Sequence, residues 1–126
     1  MFVFRRLLLP VVVGAWLALG GSSCLSPTLP LPPPEVPETI FQSGPGEWTI
    51  TGNCQPGALV SVMNEKTDRG ESVQLRPNET SYSVVLEANE CDVATVIVVL
   101  DGESASTSFV VQELHQGEPT SAACQR

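Results

Sequence analysis

The chain predicts an all-β fold, a small antiparallel sandwich of six to seven strands, on three observations. Short runs alternate apolar and polar residues, as in Trp48-Thr49-Ile50-Thr51 and Tyr82-Ser83-Val84, the period of a half-buried strand. Turn signals punctuate these runs at Pro56-Gly57, Asp68-Arg69-Gly70, Pro77-Asn78 and Asp101-Gly102. No segment sustains a helical period, and strands spaced this closely read as a sandwich.

Residues 1–23 have the parts of a signal peptide. Arg5-Arg6 precedes the apolar run 7–19, broken only by Pro10 and Gly14 and short for a bilayer-spanning helix. Leu19-Gly20-Gly21-Ser22-Ser23-Cys24 then resembles the processing site of bacterial lipoproteins, with Gly21 where that family carries Leu. The resemblance implies that Cys24 receives the lipid and becomes the mature N-terminus. Cleavage after Ala18-Leu19-Gly20 also satisfies the small-x-small rule and would yield a periplasmic or secreted chain. Residues 24–46 read as a disordered Pro-rich tether. Pro27, Pro30, Pro32, Pro33, Pro34, Pro37 and Pro45 oppose helix and central strand and favour polyproline II. At ~3.1 Å per residue such a tether reaches roughly 60–70 Å, with Ile40-Phe41 the first residues to dock.

Residues 47–114 form the domain. In 47–62, Trp48 and Ile50 share one face, Gly52-Asn53 and Pro56-Gly57 reverse the chain, and Ala58, Val60 and Val62 resume the inward face. Ile50, Gly52, Pro56, Gly57, Ala58, Val60 and Val62 match the I-x-G-x-x-x-P-G-A-x-V-x-V pattern of bacterial immunoglobulin-like domains. The resemblance covers roughly residues 47–113, implies an immunoglobulin-like sandwich, and says nearly nothing of function, because such sandwiches host unrelated roles. Val73 and Leu75 point inward on the next strand, and Tyr82, Val84 and Leu86 on the one after. The run 91–101 is apolar on both faces, the pattern of the best-covered strand. Asp101-Gly102 is a hairpin signal, and Phe109 and Val111 face inward beyond it. Residues 115–126 read as a tail.

Charge and composition narrow the chemistry. Fourteen acids against six Lys and Arg give a net charge of −8. Loss of Arg5 and Arg6 with the leader makes it −8 − 2 = −10. That balance argues against nucleic acid as a partner and favours solubility. His115, the sole histidine, lies beyond the last strand, and no G-x-S-x-G elbow occurs, so a Ser–His hydrolase is not expected. No catalytic residue, cofactor or metal is assigned. Asp68, Asp92, Asp101 and Glu103 sit at loops without the D-x-D-x-D-G spacing of a calcium loop, and Asn78-Glu79-Thr80 reads as a turn.

The cysteines carry the covalent chemistry, and four in a short exported chain point to an oxidising compartment. With Cys24 lipidated, three remain. In an up-and-down succession Cys54 lies at one end, while Cys91 and the end of the last strand lie at the other. Bridged Cα atoms lie within about 7 Å, so Cys91–Cys124 is the expected disulfide, closing a loop of roughly thirty residues worth about 3 kcal/mol. Cys54–Cys91 is the alternative if crossovers bring those ends together. The expectation is an exported, lipid-anchored, non-catalytic envelope module, held to the outer membrane through Cys24 and meeting an envelope protein or surface ligand. A small periplasmic inhibitor or ligand-binding lipoprotein is the second reading.

Overall fold

The computed structural model describes residues 29–125. Nine strands follow in order: β1 (Thr39–Gly44), β2 (Glu47–Asn53), β3 (Leu59–Asn64), β4 (Gly70–Gln74), β5 (Ser81–Glu87), β6 (Val93–Leu100), β7 (Glu103–Val110), β8 (Leu114–His115) and β9 (Glu118–Pro119). They form two antiparallel sheets, β5-β2-β1-β8-β9 and β4-β3-β6-β7, packed face to face. β1–β2, β3–β4 and β6–β7 are hairpins, and the other long connections change sheet. This is the immunoglobulin-like arrangement.

The core follows the period-2 phase. Ile50, Val60, Val62, Ala94 and Val96 are wholly buried, joined by Trp48, Tyr82, Leu86 and Phe109. β5 alternates exposed and buried residues throughout its length, and β6 buries Ala94, Val96 and Val98 while its other face stays half-covered. The Asp101-Gly102 turn has positive φ at both residues (52° and 79°), as a two-residue hairpin requires. Gly57 stands at φ 77° in the turn between the sheets, a conformation that side chains resist.

Three expectations change. First, the reversal within residues 47–62 does not return the chain to the same sheet: β2 and β3 belong to different sheets. Gly52 and Asn53 extend β2 rather than turning the chain. Gly52 lies opposite Tyr82, whose ring occupies the space that a Cβ would need. Second, part of the expected tether is structured. β1 sits inside its sheet, between β2 and β8, with Ile40 in the core. Pro37 precedes the ladder and Pro45 follows it in the turn, so neither removes a donor from it. Third, the tail returns: Leu114 pairs with Ile40, and His115 pairs with Glu118.

Phase is testable at two positions. Val60→Asp places an unpaired carboxylate in the core and should cost several kcal/mol, against a total stability of about 5 kcal/mol. Thr51, between Thr39 and Ser83 on the outer face of its sheet, should accept Asp with little change. Urea midpoints decide: tolerance of Val60→Asp beside unfolding by Thr51→Asp would invert the phase.

Candidate functional site

Upstream of β1 the chain docks on the sandwich as a strap. The Leu31 amide donates to Glu103 Oε2 at 2.9 Å, and Thr107 Oγ1 donates to the Pro34 carbonyl at 2.6 Å. Contacts advance in the same direction on both segments, so the strap runs parallel to β7. Leu31 packs on the core, Pro37 is fully buried, and the Glu38 amide donates to the Thr51 carbonyl at 2.9 Å. Proline suits this path for a physical reason. It holds the chain extended and carries no N–H that would need a partner beside the sheets.

Between strap and the β2–β3 connection lies a cleft of about 460 Å³, lined chiefly by Leu31, Pro34, Cys54, Gln55, Pro56 and Val98. Its surface is mostly apolar. Cys54 is half-buried and has no disulfide partner among the described residues, and burial pushes its thiol above the usual range. Tyr82 is pushed up to about 12, first by burial and then by the nearby Cys54. A mostly apolar lining of this kind has the character of a binding surface.

The opposite end is polar and braced. Cys91 and Cys124 form a disulfide with Cα atoms 5.3 Å apart. The Cys54–Cys91 alternative fails because β6 runs lengthwise between the end holding Cys91 and the end holding Cys54, and no crossover shortens that distance. Asn64, wholly buried, donates to the Glu87 carbonyl and to Asp92 Oδ2, and its Oδ1 accepts from the Lys66 amide. Asp92 Oδ2 also accepts from the Asn89 amide, and that bond leads in holding its carboxyl below the usual aspartate range. The associated stabilisation is present above the ordinary aspartate pKa and is lost as pH falls through the depressed one. Trp48 Nε1 donates to the Ala88 carbonyl at the same end. A second, polar cleft of about 400 Å³ opens here between Asn64, Thr67, Arg69, Glu87, Asn89 and Asp92. Its Arg69–Glu87 pair is largely exposed and contributes little.

The remaining residues singled out in the sequence scatter. His115 is exposed on β8. Asp68 lies at the β3–β4 turn, whereas Asp101 and Glu103 lie together at the other end of the sandwich, in a shallow cleft beside the strap, where Glu103 accepts from the Leu31 amide. Among the described residues no three His, Cys, Asp or Glu side chains gather as metal ligands. Cys24 lies outside the described residues. The strap is the feature that sequence reasoning missed; its only signal is the alternation of Leu29 and Leu31 with proline, one residue exposed and the other packed. No family model, curated protein or solved structure matches the chain.

Two measurements check this arrangement. A chain starting at Thr39 should be about 1–3 kcal/mol less stable to urea than one starting at Leu29, because Leu31 and Pro37 lose their burial; equal midpoints would mean an undocked strap. Without reductant only Cys54 should alkylate in the folded domain, more slowly than in urea, while reduction of Cys91–Cys124 should lower stability by about 3 kcal/mol. Rapid labelling of Cys91 in unreduced protein contradicts the pairing.

Proposed function

We propose that the chain is an exported bacterial protein, lipid-anchored through Cys24, whose immunoglobulin-like domain is a non-catalytic interaction module of the cell envelope. The leader, the Cys24 processing resemblance and the match of residues 50–62 to bacterial immunoglobulin-like domains support the reading. The observation that carries it is where the strap docks. Leu31 is bonded at the end of the sandwich that holds the Asp101-Gly102 hairpin and the Cys54–Gly57 connection. The contour from Cys24 to Leu31 is at most roughly 25 Å, much shorter than a tether running to residue 46. A lipid on Cys24 therefore sets the orientation of the domain. The hairpin end faces the bilayer, and the disulfide-braced end, with its polar cleft, faces away.

The mostly apolar cleft beneath the strap favours a second reading, a small ligand-binding lipoprotein. In that case a ligand would lie between the strap and Cys54 and would displace nothing of the core.

Anchoring is tested by Cys24→Ser. The variant should leave the membrane fraction and appear in the soluble one, while wild type stays with membranes and carries acyl mass on Cys24. A soluble wild type beginning at Gly21 would refute the lipid anchor. Crosslinking from Asn89, at the outward end, should then capture an envelope protein that crosslinking from Asp101 does not.

A further inference from the structure

Of the four strands that end the two sheets, three are blunted. β4 is short, carries Glu71 and is flanked by Arg69 and Arg76, β9 is two residues ending in Pro119, and β5 closes against β4 at the corner of the sandwich. β7, although the strap bonds the side chains of Glu103 and Thr107, is the longest of the four and keeps a regular ladder. It runs eight residues in unbroken register with β6, without proline, lysine or bulge, and reads ESASTSFV.

Its ladder geometry fixes which backbone groups are open. The two-residue Asp101-Gly102 turn closes on Leu100 and Glu103, so Glu103, Ala105, Thr107 and Phe109 bond to β6. Val111 continues this parity, its amide donating to the Asp92 carbonyl. The amides and carbonyls of Ser104, Ser106 and Ser108 therefore point away from the sheet. No backbone hydrogen bond joins the strap to β7 among the described residues, and Pro32, Pro33 and Pro34 have no N–H to offer. The strap bonds the side chains of Glu103 and Thr107, whereas Ser104, Ser106 and Ser108 are exposed and no strap hydrogen bond reaches their backbone among the described residues.

We infer that the edge of β7 accepts an extended, cationic-flanked segment of a partner protein as a fifth strand of the sheet. Side-chain chemistry on both sides suits alternating apolar residues. The small Ser104 and Ser106 lie beside Val99 and Ile97 on the outer face, and the prolines of the strap lie on the inner one. Charge selects the flanks. Asp101 stands at one end of the edge. At the other, Glu65 Oε1 accepts from the Thr95 and Ser108 hydroxyls, bonds that keep its carboxyl ionised below the usual range. Between Arg76 and Arg126 the chain has no Lys or Arg. A second copy fits less well, because it brings the same acids. Antiparallel pairing of two β7 strands would also turn one domain end over end, against the common orientation that a Cys24 anchor imposes. The inference deepens the interaction-module reading, and its test stands whether or not Cys24 carries lipid.

The probe is the peptide Lys-Lys-Val-Thr-Val-Thr-Val-Lys-Lys, titrated into the full chain in detergent, with amide exchange read residue by residue. Exchange should slow at Ser104, Ser106 and Ser108, and a glutamate-flanked peptide should bind about tenfold more weakly. A peptide N-methylated at alternate residues should give no protection. Ser106→Pro should abolish binding with an unchanged urea midpoint, since that amide serves no native ladder bond; should the variant unfold, the N-methylated peptide decides alone. Absence of protection at about 1 mM peptide, protection confined to another edge, or equal binding of the N-methylated peptide overturns the proposal. Equal binding of the glutamate-flanked peptide overturns its charge selection. Protection that grows with protein concentration and without peptide overturns it in favour of a second copy.

Discussion

The structure depends on one constraint: every long strand must send alternate residues into a single gap between two sheets. Ile50, Val60, Val62 and Val96 are wholly buried in that gap, and a one-residue slip in β2 or β5 would exchange an apolar set for a largely polar one. Register is therefore most strongly specified on β2 and β5, while β6, apolar on both faces, takes its register from its neighbours β3 and β7. β7 is the weak member. Its inward residues Ala105 and Thr107 are small, and only Phe109 is fully covered. The gap beside it would stay open without the strap, which places Leu31 against the core and satisfies the Thr107 hydroxyl with the Pro34 carbonyl. A poorly filled last strand and a docked proline segment are two halves of one solution.

Much of this was legible in the residues, and the rest was not for physical reasons. The alternation of Tyr82, Val84 and Leu86 and the turn chemistry of Asp101-Gly102 are local signals, and the structure follows both. The disulfide was legible in part: strand length and an assumed up-and-down order favoured Cys91–Cys124, and only the structure, which keeps Cys54 at the opposite end, closes the Cys54–Cys91 alternative. The role of Pro56-Gly57 was not. A turn signal specifies that the chain reverses, and it carries no information on whether the next strand joins the same sheet or the facing one. β1 was hidden by composition. Proline forbids a ladder position only where an N–H is needed, and Pro37 stands just before the first such position. Thr39-Ile40-Phe41 carried the strand signal, a β-branched and aromatic run, inside a segment whose average reads as disordered.

The candidate surfaces were harder to read, since each joins residues from distant parts of the chain. The apolar cleft brings the strap against the β2–β3 connection and Val98. The polar end joins Asn64 to Asp92 across the β3–β6 pair and to Glu87 of the other sheet. A buried Asn with its amide and carbonyl both engaged specifies that crossing, because an apolar replacement would strand the Glu87 carbonyl and the Lys66 amide. Gln112 is the exception to this satisfaction: its Oε1 is buried without a partner among the described residues, and nothing in the structure explains it.

The two ends of the sandwich are held by different means, and the difference follows from what each end must do. At the hairpin end the strap is non-covalent, formed by a few hydrogen bonds and one leucine at the margin of the core. At the other end the chain leaves β7 and crosses to the opposite sheet for β8 and β9. Beyond β9, Cys124 ties the chain to Cys91 in the β5–β6 connection. A small domain gains most from a crosslink where local contacts are fewest, because there the crosslink removes freedom that packing does not. Asn64, Asp92 and Trp48 then build on that fixed corner, each bonding backbone groups of the β5–β6 connection or its neighbours. The outcome is a polar end held by a covalent bond and an apolar end held by hydrogen bonds and packing.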